Sequence, residues 1–79
     1  MEKNLPEKKF SSGSMIATVW NNQKSKDGQT FEYKTVSLQR RYTDKEGKWQ
    51  TASTLRLNDL PKAALVLEEA YRYLALNAE

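Results

Sequence analysis

The chain has 79 residues, a formal net charge of +3, and neither cysteine nor histidine. A chain of this length forms one domain that buries only about 60 to 65% of the surface its unfolded form exposes. No disulfide can stabilise it, because it has no cysteine. Self-association as a homodimer is therefore the simplest further source of buried apolar surface. Because histidine and cysteine supply most general bases, nucleophiles and transition-metal ligands in small active sites, their absence argues against an enzyme.

The N-terminal half of the chain predicts an arm, a strand and a loop. Residues 1–9 are polar and carry no hydrophobic pattern, so we expect a flexible basic arm there and a single sheet-plus-helix domain over residues 10–79. Residues 14–22 are rich in β-branched and aromatic side chains, which is typical of a strand. The polar residues 21–29, closed by Asp27-Gly28, predict a flexible hairpin loop. Alternation gives the strand two faces, namely Met15, Ala17 and Val19 against Ile16, Thr18 and Trp20.

A longer strand is predicted over residues 30–42, with room for a bulge or a break. Residues 43–48 reverse the chain at Gly47, and residues 49–57 form the last strand. A fourth strand would come from residues 8–12 or from a split of the long one, so we predict an antiparallel sheet of three to four strands. The faces of the long strand are Phe31, Tyr33, Thr35, Ser37, Gln39 and Arg41 against Glu32, Lys34, Val36, Leu38, Arg40 and Tyr42.

The C-terminal segment predicts one amphipathic helix, which makes the fold α+β. Asn58 or Asp59 is a good N-cap and Pro61 is tolerated in a first turn, so the helix should run from residue 60 to about residue 76. The apolar stripe expected to face the sheet is Leu60, Ala63, Ala64, Leu67, Ala70, Tyr71 and Leu74. The apolar residues outside it, which predict a dimer interface, are Leu65, Val66, Tyr73 and Leu76. The alternative is a monomer with a wider core stripe and a wrapped N-terminal arm.

No constellation in the sequence points to catalysis. Asp44 and Glu46 form the nearest acidic pair, but they lie beside Lys45 and Lys48 in a predicted turn, where a solvated Asp that begins the turn is the simpler explanation. We therefore predict no catalytic residue, no metal, no cofactor and no small-molecule substrate. No apolar run is long enough for a signal peptide or a membrane span, so we expect a cytoplasmic protein without a membrane partner.

Basic and aromatic residues, in contrast, are interleaved on the strands. Residues 1–59 carry 11 basic against 7 acidic side chains, whereas residues 60–79 carry 2 against 3. Flat rings stack on the bases of single-stranded nucleic acid, and lysine or arginine contacts the phosphates. Such rings can also pack in a core or a dimer interface, but one helix covers one sheet face and cannot bury rings on both. The candidate nucleic-acid-binding residues are Trp20, Lys34, Arg40, Arg41, Tyr42, Lys48, Trp49 and Arg56.

Over roughly residues 36–76 the chain resembles the transcriptional positive-cofactor (coactivator) family of single-stranded DNA-binding proteins. The resemblance lies in Tyr42-Thr43-Asp44-Lys45-Glu46-Gly47 after Gln39-Arg40-Arg41, followed by Leu55-Arg56-Leu57-Asn58 and a helix. It implies a curved four-stranded antiparallel sheet that dimerises through the C-terminal helix and binds single strands across the sheet. Tyr42 would take the position of the base-stacking aromatic residue, and the strand cations would contact phosphates. Gln39 departs from the pattern, which has a basic residue there.

The sequence therefore predicts a homodimeric, sequence-tolerant single-stranded DNA-binding protein that acts in transcription, replication or repair. RNA remains an open alternative, because no residue obviously reads a ribose 2′-hydroxyl. The other alternative is a protein-interaction module that docks through its apolar helix or a free sheet edge, with a basic surface that only keeps the domain soluble.

Overall fold

The computed structural model describes residues 2–76, and it has the predicted α+β fold. Four antiparallel strands in the order β1-β2-β3-β4 form an open sheet, and one helix follows them. The strands are β1 (Glu2–Ser12), β2 (Met15–Lys26), β3 (Gln29–Thr43) and β4 (Trp49–Ala52). The helix α1 (Leu60–Leu76) is preceded by a single 3₁₀ turn, Leu57–Asp59.

The first strand corrects the expectation of a flexible arm over residues 1–9. The described residues of that segment lie in β1, which pairs with β2 from Ser12 opposite Met15 to Glu2 opposite Lys24. The register shifts between Pro6 and Lys8, where a bulge interrupts the pairing. An edge strand needs only backbone hydrogen bonds along one side, so this segment pairs without the apolar alternation that marks a half-buried strand. Met1 and residues 77–79 lie outside the described residues.

The expected loop over residues 21–29 is also wrong. β2 continues to Lys26, which pairs directly with Gln29, so that only Asp27 and Gly28 form the turn. Both turn residues have positive φ, 53° and 77°. That conformation defines a type I′ turn, whose twist matches the twist of the flanking strands and allows pairing up to the turn.

The last strand is shorter than predicted, because β4 ends at Ala52 rather than near residue 57. Beyond it the chain leaves the sheet and crosses to the helix. The Arg40 Nε donates a hydrogen bond to the Thr54 carbonyl over 3.1 Å, and the Arg56 amide donates to Asp59 Oδ2 over 2.9 Å. These contacts hold the crossing segment and set the start of α1.

The core lies between α1 and one face of β2. Ala63, Val66 and Ala70 of the helix pack against the β2 face that begins at Met15 and ends at Val19, and all of these residues are buried. Tyr73 packs edge-on against Phe10 of β1, with ring centres 6.0 Å apart. The helix is thus rotated from the predicted orientation, because small alanines allow the closest approach to the sheet.

This rotation changes the expected dimer interface. Val66 is only 2% exposed inside the core, so its assignment to an interface is corrected. Tyr73 is partly buried within its own chain, whereas Leu65 and Leu76 are exposed. Part of the predicted core stripe faces solvent instead, namely Leu60, Leu67 and Tyr71.

The molecule is long and flat, with extents of 48 × 30 × 16 Å. Its radius of gyration is 15.1 Å, compared with about 12 Å for a compact chain of this length. α1 packs mainly on β1 and β2, and a helix of its length spans only about 25 Å. Among residues 2–76, no element covers the sheet face opposite α1, which we call the open face.

Candidate nucleic-acid interface

The open face is defined by strand alternation from the buried core. Met15, Ala17 and Val19 point toward α1, so the even-numbered residues of β2 point the other way. Their cross-strand partners on β3 are odd-numbered, because Trp20 pairs with Thr35 and Lys24 with Phe31. The main open-face residues are Ile16, Thr18, Trp20, Asn22 and Lys24 of β2, and Phe31, Tyr33, Thr35, Ser37, Gln39 and Arg41 of β3.

Four aromatic rings lie on this face. Phe31 and Tyr33 are about half exposed, at 50% and 48%, and Trp49 of β4 is 64% exposed. Trp20, near the middle of the sheet, is fixed in orientation because its indole Nε1 donates a hydrogen bond to the Ser37 hydroxyl over 2.9 Å. The rings extend over about 40 Å along β3, given the rise per residue of a strand. This is a row of flat apolar surfaces without a covering element.

All charged side chains that β2 and β3 present to the open face are cations, and they lie toward its two ends. These cations are Lys24, Lys26 and Arg41, and Lys9 of β1, opposite Thr18, points to the same face. No aspartate or glutamate of the described residues of β2 and β3 points to this face. The acidic side chains of this region, Glu7, Glu32 and Asp59, lie on the helix side. The two faces therefore differ in both ring content and charge.

One end of the open face leads into a groove that wraps around the edge of the sheet. This end groove has a volume of about 690 Å³. The predicted residues that line it are Arg40, Arg41, Tyr42, Trp49 and Arg56. Two of its arginines are placed by neighbouring rings: the Arg41 guanidinium lies 4.8 Å from the Trp49 ring centre, and that of Arg40 lies 5.1 Å from the Tyr42 ring centre.

The two arginines in the end groove differ in whether another group of the chain already neutralises their charge. Arg40 lies on the helix side with Tyr42, and its Nε is 3.5 Å from Asp59 Oδ2 as well as bonded to the Thr54 carbonyl. Most of the Arg40 charge is therefore satisfied within the chain. Arg41, on the open face, has no such carboxylate partner among the described residues, and its ring contact with Trp49 leaves its N–H donors available for a phosphate.

The β3–β4 turn that supports Trp49 is organised by Asp44. Its Oδ1 accepts hydrogen bonds from the amides of Glu46 and Lys48, at 2.9 and 3.0 Å, and its Oδ2 accepts one from Gln50 Nε2 at 3.1 Å. The backbone hydrogen bond from Lys48, with those from Gln50 and Glu46, lowers the pKa of Asp44 below its ordinary value. Lys48 itself is exposed at the turn, with its Nζ 3.7 Å from Glu46 Oε2.

A hydrogen-bonded patch lies next to Trp20 on the open face. Asn22 is buried, and its Nδ2 donates to the Thr35 hydroxyl at 2.9 Å and to the Tyr33 carbonyl at 3.2 Å. A shallow depression of about 300 Å³ lies above this patch and is also lined by Asn4 and Ser37. The polar network thus gives the centre of the face a fixed shape between its aromatic ends.

Lys34, also a predicted binding residue, lies on the helix side instead. Its ammonium is ion-paired with Glu7, which also accepts a 2.6 Å hydrogen bond from the Tyr73 hydroxyl. The hydrogen bonds from Lys34 and Tyr73 lower the pKa of Glu7, and the same contact with Glu7 raises the pKa of Tyr73. This three-residue contact joins β1, β3 and α1 at the bulge of β1.

Of the eight predicted binding residues, the structure places Trp20, Arg41 and Trp49 on the open face and the other five elsewhere. Phe31 and Tyr33 belong to the face as well, and the alternation of the long strand already put them together with Arg41. Lys9 was missed because its segment carries no hydrophobic pattern. Only the pairing of β1 with β2 reveals that Lys9 lies opposite Thr18.

Comparison with known proteins gives no relative for this chain: no family model, no curated protein and no solved structure matches it. The resemblance to the positive-cofactor family therefore stays a prediction from the quoted residues. Among residues 2–76, no helix has both the length and the apolar character needed to cross a bilayer, and no group of three acidic side chains lies close enough together to hold a metal ion.

Proposed function

We propose that the protein binds single-stranded DNA on the open face of its sheet, without strong preference for sequence. The observation that carries this proposal is the segregation of side chains: four rings and several cations share a face whose two central strands present no acidic side chain. Rings of this kind stack on bases at about 1 to 3 kcal/mol each, and every base offers a stacking surface. The protein would hold exposed strands during transcription, replication or repair, and no catalytic step is assigned to it.

The proposed path of the strand follows the rings from Phe31 and Tyr33, past Trp20, to Trp49. Arg41 and Lys9 lie beside this path, where they would contact backbone phosphates. Arg56 lines the end groove together with Trp49. A duplex hides the faces of its bases, so it would bind only through its phosphates and therefore more weakly.

The test is fluorescence anisotropy of a labelled single-stranded oligonucleotide of about 20 nucleotides, titrated at low and moderate salt beside a duplex of the same sequence. The proposal predicts binding that prefers the single strand and weakens steeply with salt, because phosphate contacts release counterions. Absence of binding at low salt, or equal binding of single strand and duplex, would reject it. An RNA oligonucleotide of the same sequence, used as a competitor, measures the preference between DNA and RNA.

A second candidate function is supported by a different surface. Leu57 and Tyr71 are 82% and 70% exposed, and with Leu60 and Leu67 they form an apolar strip along one side of α1. Exposed apolar patches of this kind often mark protein contacts. If the protein acts through this strip, Leu67→Ser and Tyr71→Ser should abolish its function in the cell, whereas substitutions at Arg41 and Trp49 should have no effect on that function. The reverse pattern would support the DNA-binding proposal.

A further inference from the structure

The outer edge of β3 is largely unpaired. β4 pairs only with the segment from Arg40 to Thr43, so that over residues 29–39 no strand within residues 2–76 lies on the side of β3 away from β2. This leaves an edge of eleven residues along which every second residue has free backbone hydrogen-bonding groups. Such an edge is a template for another strand.

The direction of the free backbone groups follows from the hydrogen bonds that are present. The Arg41 amide donates to the Ser14 carbonyl over 2.8 Å, toward the β2 side. The register between β2 and β3 has no shift from Arg40 to Gln29, so the amides of odd-numbered residues point to β2. The amides and carbonyls that point to the free edge therefore belong to Thr30, Glu32, Lys34, Val36 and Leu38.

The opposite edge of the sheet shows what a protected edge looks like in this protein. β1 carries Pro6 and a bulge before Lys8, both of which hinder the pairing of a further strand. The free part of β3 has no proline and no bulge. The β3 edge thus lacks the features that prevent a further strand from pairing with β1.

We propose that the β3 edge pairs antiparallel with the β3 edge of a second copy of this chain, about a two-fold axis at Tyr33. In this register Glu32 lies opposite the partner's Lys34, and Lys34 lies opposite the partner's Glu32, so the edge is complementary to itself in charge. Residues 30–36 of both copies overlap and form about eight backbone hydrogen bonds. Glu32 and Lys34 lie on the helix side, where Lys34 also contacts Glu7.

The charges of Glu32 and Lys34 favour the register with the axis at Tyr33 over the registers with the axis at either neighbouring residue. Only an axis at a residue position brings outward-pointing amides opposite each other in an antiparallel pair. An axis at Lys34 places two lysines opposite each other, and an axis at Glu32 places two glutamates opposite each other, both of which are unfavourable. With the axis at Tyr33, the two Tyr33 rings become neighbours and the open faces of both copies join into one surface. The pairing itself does not depend on nucleic acid.

The test is sedimentation velocity of the protein without nucleic acid, over a range of concentrations. Glu32→Lys and Lys34→Glu each oppose like charges at two positions, so each should weaken the dimer by at least about tenfold. An equimolar mixture of the two variants should associate again, because the two lysines of the Glu32→Lys copy then face the two glutamates of the Lys34→Glu copy. Glu46→Lys makes the same charge change in an exposed turn and serves as the matched control.

Circular dichroism establishes that each variant is folded. Should Lys34→Glu fail to fold because it loses its contact with Glu7, Glu32→Pro replaces it. That proline removes an outward-pointing amide and the Glu32 carboxylate but leaves the contact of Lys34 with Glu7, and it should also weaken the dimer. A wild-type protein that stays monomeric at its highest soluble concentration overturns the proposal. A dimer that neither charge reversal weakens overturns it too, and places the interface elsewhere.

Discussion

The two faces of the sheet use their side chains in opposite ways. The helix-covered face is closed by small and medium residues, with Ala17 and Ala63 among its fully buried members. The largest side chains of the strands, Trp20 and Trp49, lie on the open face instead. A small domain gains most core stability by burying its rings, so their placement outside the core indicates a use other than folding.

If the open face binds single-stranded DNA as proposed, the residues that stabilise the fold and the residues that bind lie on separate surfaces. The core is formed by one face of β2 and one side of α1, and the rings of the open face contribute little to it. Changes on the covered face should therefore unfold the protein, and changes on the open face should leave it folded but weaken binding.

The largest effect is expected from a charge in the core. Val66→Asp places a carboxylate among Met15, Val19 and Ala63, where no partner is available, at a cost on the order of 3 to 5 kcal/mol. That cost is comparable with the whole stability of a small domain. Thermal unfolding followed by circular dichroism should show loss of the cooperative transition. Leu65→Asp, one residue away on the exposed side, should keep it, and equal damage by both variants would contradict the packing described here.

The next effect concerns the rings of the open face. Trp49→Ala should weaken single-stranded DNA binding about tenfold, because one stacking platform is lost, and should change the unfolding transition little. Tyr71→Ala is the matched control, since it removes a ring of similar exposure from α1. Anisotropy titrations of both variants give the comparison. If Tyr71→Ala weakens binding more than Trp49→Ala does, the assignment of the open face fails.

A smaller effect is expected at a single cation. Arg41→Gln removes one phosphate contact, so the dependence of log K on log salt should become shallower by about 0.7 for a single strand. Arg72→Gln removes a cation on α1, whose partner is Glu68, and should leave the slope unchanged. The measurement is the salt dependence of affinity for both variants. An unchanged slope for Arg41→Gln would exclude a phosphate contact at this residue.

The smallest effect should arise from Glu7 on the helix side. Its pKa is lowered in the folded protein, so its contribution to stability is present above the ordinary carboxylate pKa and is lost as the pH falls through the folded value. Glu7→Gln should therefore flatten the acid side of the pH–stability profile slightly, because Glu7 is exposed to solvent. Urea unfolding at several pH values measures this, with Glu46→Gln as control. Identical profiles for wild type and Glu7→Gln would show that the contact with Lys34 and Tyr73 has no effect on stability.

The sequence was sufficient to predict which residues of the long strand share a face, and it was sufficient to predict the helix. That alternation already separated Phe31 and Arg41 from Lys34 and Tyr42. The binding prediction nevertheless combined cations and rings from both faces. It selected residues by type and did not consider to which side of the sheet each one points. The correct set follows once the helix is known to cover the side of Met15.

Two features could not be read from the sequence for physical reasons. The β1 strand is polar, and the hydrogen bonds that hold it depend on a neighbouring strand rather than on its own residues. The rotation of α1 was misjudged because apolar residues occupy most of its circumference. Hydrophobicity alone does not determine which side of α1 packs on the sheet. The side that does so is determined by the close fit of Ala63 and Ala70.

The proposal that the open face binds single-stranded DNA can be tested residue by residue with NMR. The chain has two tryptophans, both on that face, so their two indole N–H signals report on it alone. In a titration of ¹⁵N-labelled protein with a single-stranded oligonucleotide, we predict that both indole signals and the amides of Tyr33 and Arg41 shift, while the amides of Leu67 and Tyr71 stay unchanged. Shifts confined to α1, with both indole signals unmoved, would contradict the account.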